Sequence, residues 1–143
     1  MSGPDAGSYF AVDASLRPAG KGAYVEIERL PTVEFVDGLV FRPVVGEGLM
    51  VNFVRYRPHT EAPTHTHEEE QVTFVLDGEF DFDLDGEVRT MRPGMAVHVP
   101  PGVPHGARTR DSTCHEVDVF APPRRVLVEA LGRGAPRAAT PPA

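Results

Sequence analysis

Proline and glycine punctuate this chain throughout, and that limits what it can build. Fifteen prolines and fourteen glycines are spread between short apolar stretches of the 143 residues rather than massed in one segment. Such punctuation reads as many turns joining strands, because turn positions call for a preset or a positive φ. The length suits one domain with one core.

Taken in order, residues 1–22 are rich in Gly, Ala, Ser and Pro without periodicity. They are expected to form a flexible arm, with Tyr9-Phe10 pinned to the body or to a second subunit. Ala23 to Leu30 reads as a first strand with Val25 and Ile27 on one face. Asp37-Gly38, between Val33–Val36 and Leu39–Phe41, is a two-residue hairpin signal. Leu49–Tyr56 alternates, so one of Arg55 and Tyr56 must face inward. Residues 57–64 hold two prolines and read as a loop, and Gln71–Leu76 reads as a buried strand broken by Gly78. Phe80-Asp81-Phe82-Asp83-Leu84 alternates strictly, apolar side in and aspartates to water, before a second hairpin at Asp85-Gly86. Glu87–Met91, Met95–Val99, His105–Thr109 and Thr113–Phe120 complete the strands. Met50, Met91 and Met95 are expected in the core. Arg125 to Leu131 reads as a short helix, and residues 132–143 as a disordered tail. Nine or ten short strands with almost no helix imply an all-β sandwich or barrel over residues 23–131.

The formal charge of -7 argues against nucleic acid and anionic membranes as partners. No apolar run is long enough to span a bilayer and no leader pattern opens the chain, so a cytoplasmic protein is expected. A single cysteine, Cys114, excludes an internal disulfide, in keeping with a reducing compartment.

The chemistry concentrates in Thr64-His65-Thr66-His67-Glu68-Glu69-Glu70-Gln71. In an extended chain His65 and His67 point the same way, about 7 Å apart, as two arms for one metal ion. Gln71 shares their parity as an oxygen ligand, while Glu69 competes for that role. Thirty-four residues later the rigid turn Pro100-Pro101-Gly102-Val103-Pro104 delivers His105. Three imidazoles and one oxygen leave room for substrate on the ion, the mark of a catalytic site. Glu68, Glu69 and Glu70 are otherwise a solvated acidic run. His59 reads as a surface histidine, and His98 and His115 as facing away from the site. Cys114, Glu116, Asp118 and Phe120 share one strand face; if it lines a pocket, Asp118 and Glu116 are its acid and base.

These spacings resemble the cupins, small double-stranded β-helix (jelly-roll) barrels. The first cupin motif, His-x-His with a further ligand and then a glycine, reads here His65, His67, Gln71 and Gly78. The second reads Gly94, Pro100-Pro101-Gly102 and His105. The pattern departs where His59 and Thr109 replace an expected glycine and asparagine, and where Gln71 replaces an acidic ligand. The resemblance implies a cupin barrel with a short C-terminal helix, and one divalent metal ion (zinc, nickel, manganese or iron) on His65, His67, Gln71 and His105. With four neutral ligands the full double charge stays on the ion, which favours a Lewis acid for a carboxylate or enolate.

Asp118-Val119-Phe120-Ala121-Pro122-Pro123-Arg124 further resembles the closing segment of small cupins that tautomerise or ketonise unsaturated sugar acids. That likeness implies that Asp118 moves a proton and Arg124 fixes a substrate carboxylate. Arg125-Val126 stand where that group carries acidic residues. The expected function is a metal-dependent isomerase, tautomerase or cyclase acting on a small oxygenated molecule, polyketides included. A cupin dioxygenase of quercetinase type and a non-catalytic binding cupin are the alternatives, and a homodimer is the expected assembly.

Overall fold

Alternating apolar positions become strands wherever a partner strand can complete their hydrogen bonds. A computed structural model describes residues 3–134 of the chain. Its ten strands are β1 (Val33–Val36), β2 (Leu39–Val45), β3 (Met50–Tyr56), β4 (Glu61–His65), β5 (Glu70–Gly78), β6 (Phe80–Leu84), β7 (Glu87–Met91), β8 (Ala96–Val99), β9 (His105–Arg108) and β10 (Cys114–Ala121). A four-residue helix α1 (Ala6–Tyr9) precedes them, and α2 (Arg125–Gly134) follows. Two antiparallel sheets result, one in the order β1-β2-β3-β10-β5-β8 and the other β4-β9-β6-β7. The all-β jelly roll with a short C-terminal helix is therefore the fold.

Between the sheets lies a core of Leu39, Val54, Tyr56, Val75, Phe80 and Val99, among others. A second cluster, with Val33, Met50, Phe120, Leu127 and Leu131, seats α2 over one end of the larger sheet. The parity of β3 resolves with Met50, Asn52, Val54 and Tyr56 buried and Arg55 outside. Both hairpin signals fall on tight turns: Gly38 has φ 86° between β1 and β2, and Asp85 and Gly86 have φ 50° and 91° between β6 and β7. Burial pushes the Cys114 thiol up to about 12, so the lone cysteine is unreactive.

Several expectations are corrected. Residues 23–30 form no strand, only a single 3₁₀ turn over Ile27–Arg29, and Ile27 is exposed; β1 is the edge of its sheet and pairs only with β2. Residues 61–65 are a strand despite Pro63. Strand β4 is a sheet edge, where a missing N–H costs no ladder bond, and its pairing with β9 is irregular between Ala62 and His65. Asp81 does not face water: it is 7% exposed and accepts hydrogen bonds from Thr90 and Arg110. Met95 is exposed, in the turn before β8. Tyr9 and Phe10 lie open to solvent and pack only on each other among the described residues. Helix α2 runs to Gly134, into the stretch read as tail, and residues 135–143 lie outside the described residues. No described helix is long and apolar enough to cross a membrane.

Gly78 joins β5 to β6 at φ 77°, and a Cβ there would sit 2.2 Å from the Thr113 carbonyl oxygen. Gly78→Ala therefore combines a left-handed backbone with a backbone clash. It is expected to cost about 2–4 kcal/mol, read as a lowered urea midpoint with an unchanged slope.

Candidate metal centre

Three strand ends and one turn meet at one end of the barrel. His65 closes β4, His105 opens β9, and the two are directly opposed in the ladder between those strands. Gln71 is the second residue of β5, from the other sheet. His67 stands on the turn between β4 and β5, off any strand, so the chain's reversal rather than strand parity brings it beside His65.

The donor atoms converge. His67 Nε2 lies 3.0 Å from Gln71 Oε1 and 3.2 Å from His105 Nε2, and His105 Nε2 lies 3.1 Å from Gln71 Oε1. One ligand atom from each of His65, His67 and His105 falls within 4.8 Å of the others. Each histidine's Nδ1 is 2.8–2.9 Å from a backbone carbonyl, of Pro63, Glu69 and Val103 respectively. A carbonyl only accepts, so Nδ1 carries the ring proton and Nε2 presents a bare lone pair. The Gln71 amide nitrogen donates to Thr73 Oγ1 at 2.8 Å and approaches Asp118 Oδ1 at 3.4 Å, which turns its carbonyl oxygen to the same point.

Lone pairs facing one another with no proton between them repel, and a cation at their focus removes the repulsion. The separations fit one. Donors about 2.1 Å from a shared ion stand about 3.0 Å apart at right angles and about 3.4 Å apart in a tetrahedron. The observed separations of 3.0–3.2 Å fall within that range, so these donors fit one ion. Protonation does not compete: burial pushes His105 down to about 4, assisted by its histidine neighbours and Arg124. Burial, then the Arg124 charge, also lowers His67.

Behind the ligands lies a cavity of about 230 Å³ between the sheets. Phe35, Phe41, Phe80, Phe82 and Phe120 form much of its wall. Its polar side is the inner face of β10. Asp118 accepts a 2.6 Å hydrogen bond from Thr73 Oγ1, and Glu116 lies one pleat further along. Burial raises both carboxyls; their interaction raises Glu116 further and restrains Asp118, so Glu116 is the partner that keeps the proton. Arg124, at the cavity's edge, is only 20% exposed in its side chain.

Glu69 does not join the ligands. Its carboxylate accepts the Arg125 backbone N–H at 2.9 Å at the start of α2 and lies 3.8 Å from Arg124 Nη1. Burial works to raise its pKa, but that N–H and the Arg124 charge prevail and hold it low. Of the acidic run, only Glu68 and Glu70 are solvated. Glu69→Ala is expected to cost about 1–2 kcal/mol in urea unfolding, since it removes a buried acceptor from a helix start.

His59 is exposed beside Asp111, and His98 is exposed on Glu70. His115 lies across β10 from the Asp118 face. Sequence reasoning missed Thr73, which bonds both Gln71 and Asp118. Thr73 shares strand parity with Gln71, and that signal would have found it.

Residues 52–120 match the family described as Cupin domain. The chain is 34% identical over 86 residues to the dimethylsulfoniopropionate lyase DddQ of Ruegeria pomeroyi, an alignment covering 54% of this chain and 43% of that protein. It is 38% identical over 52 residues to H2HPP isomerase of Bacillus subtilis, covering 36% of this chain and 22% of that protein. The chain thus spans less than half the length of either curated relative. Among solved structures, KdgF from Halomonas sp. superposes with a TM-score of 0.70 at 25% identity, over 75% of this chain and 99% of that one.

Proposed function

The chain belongs to the cupin family, and from that premise we propose that it is a metal-dependent enzyme moving a proton on a small, enolisable oxygenated substrate, of the isomerase, tautomerase or cyclase kind. The observation that supports this reading is the placement of Asp118. Its carboxyl is tied through Gln71 to the ligand cluster and opens on the same cavity. His65, His67, Gln71 and His105 would hold the ion. A divalent ion bound there polarises substrate oxygens and offsets the negative charge that develops as a proton leaves carbon.

The protein's own groups do the rest. Asp118 takes the proton and returns it at a second position. Thr73 fixes the Asp118 carboxylate by its hydroxyl, and Glu116 supports its charge from the other side. Arg124 pairs with a substrate carboxylate at the cavity's edge, its guanidinium positioned by Glu69. The phenylalanine wall excludes water, which strengthens each of these contacts. The curated relatives bear the names of a lyase and an isomerase, and both reaction types can begin with loss of a proton from carbon.

The test is a panel of 2-oxo and unsaturated acids incubated with metal-loaded protein in D₂O under argon. Solvent deuterium should enter at carbon, seen by NMR. Turnover that requires oxygen would instead support the dioxygenase reading and sink this one.

A further inference from the structure

The metal cavity is apolar where it opens. Two large apolar side chains on its wall stand in solvent, Phe35 at 53% exposure and Val126 at 43%. Half-buried Val36 and Phe41 lie beside them on the same wall. Exposed apolar residues scattered singly are ordinary, but these two come from separate elements and meet at one ligand cavity. Phe35 belongs to β1, an edge strand, and Val126 to the first turn of α2.

Local structure puts them there. The pairing of β1 with β2 loses register between Val33 and Val36, which takes Phe35 out of the regular ladder. Its ring meets Phe41 edge to face, with centroids 6.0 Å apart, and the rest of it stays open. Phe41 packs in turn on the cluster that seats α2, so the strand side and the helix side of the opening are fixed to one another. Arg124 stands on the same cavity, one residue before α2 begins.

The rest of the wall says what can enter. Phe80 and Phe82 continue the apolar surface and offer no hydrogen bond. A sugar acid carries a hydroxyl on most of its carbons. Each one pressed unpaired against such a wall costs roughly five- to a hundredfold in affinity. An apolar cavity of about 150 Å³ takes a benzene ring. The volume here, about 230 Å³, holds one ring with a short oxygenated chain, and a fused multi-ring body exceeds it.

We infer that Phe35, Phe41 and Val126 form a vestibule for a single apolar ring of the substrate, while the ligand cluster and Arg124 take oxygens confined to its other end. The substrate class is an aryl-substituted 2-oxo acid. It is not the polyhydroxylated sugar acid suggested by the likeness of the segment from Asp118 to Arg124. A seated ring covers the open part of Phe35 and joins its edge-to-face pair with Phe41, an arrangement aromatic rings favour. The inference rests on the function proposed above and adds to it what the cavity selects.

The test is calorimetric titration of manganese-loaded protein, under argon, with phenylpyruvate, pyruvate and 3-deoxy-2-oxogluconate. Wild type should bind phenylpyruvate about tenfold more tightly than either other acid, as for one aromatic contact with its buried area. Phe35→Ser should cut that preference to about twofold with Tm and light-scattering mass unchanged, and Phe35→Tyr should keep it. Equal affinity for phenylpyruvate and pyruvate in wild type would overturn the vestibule and leave the metal reading intact, as would tighter binding of the sugar acid. A Phe35→Ser protein that keeps the full preference or melts much earlier also overturns it. So does one that changes mass, because the rim then faces a second copy of the chain. If none of the three acids binds, the inference falls, and elemental analysis of the same sample shows separately whether the metal site exists.

Discussion

His105→Ala should leave a folded barrel that has lost its metal, with affinity for a divalent ion down by more than about a hundredfold, beyond the loss typical of changes behind the ligands. His105 is the most deeply set of the three histidines, 2% exposed and stacked at 6.1 Å on Phe82. Its Nε2 is one corner of the donor triangle with His67 and Gln71, so alanine opens the triangle. Elemental analysis of wild type should return close to one equivalent of a divalent metal, and the variant close to none. Circular dichroism must show the strand signal retained. A variant that keeps its metal would mean that the ion, if any, is held elsewhere.

The second large effect is on chemistry alone. Asp118→Asn keeps shape and volume, and Thr73 can still donate to the remaining oxygen, but the side chain no longer takes a proton. A drop in kcat of about 10²–10⁴, with metal content and KM little changed, is the expected signature of a lost general base. Unchanged turnover would remove Asp118 from the role given to it here. A parallel collapse of metal content would show instead that its contact with Gln71 matters mainly for ligand orientation, and the metal assay separates the two.

Much of the fold was legible because it rests on local rules. Alternation in Met50–Tyr56 and Cys114–Phe120 and the turns at Asp37-Gly38 and Asp85-Gly86 follow from period two and positive φ, both written in adjacent residues. What escaped depends on distant partners. Ala23–Leu30 has strand composition, yet no neighbouring strand takes it up. Asp81 resembles a solvent-facing aspartate until Arg110 folds over it. Glu69 looked like a rival ligand because parity was extended through a turn; the turn rotates it toward α2, whose start lies fifty-six residues on. The same turn, and not strand alternation, brings His67 to the cluster, so the motif spacing locates the histidines where parity alone does not.

Pro63 carries one further consequence. It stands on β4, an outer strand whose free edge could recruit an extended segment from another molecule. Lacking an N–H, it interrupts that edge two residues before His65, while its carbonyl anchors the His65 ring. One residue thus guards the rim of the site against intruding chains and aims a ligand inward. A substitution that restored the N–H would keep the carbonyl and the aim, and its penalty would surface as self-association at high concentration rather than as a weaker site.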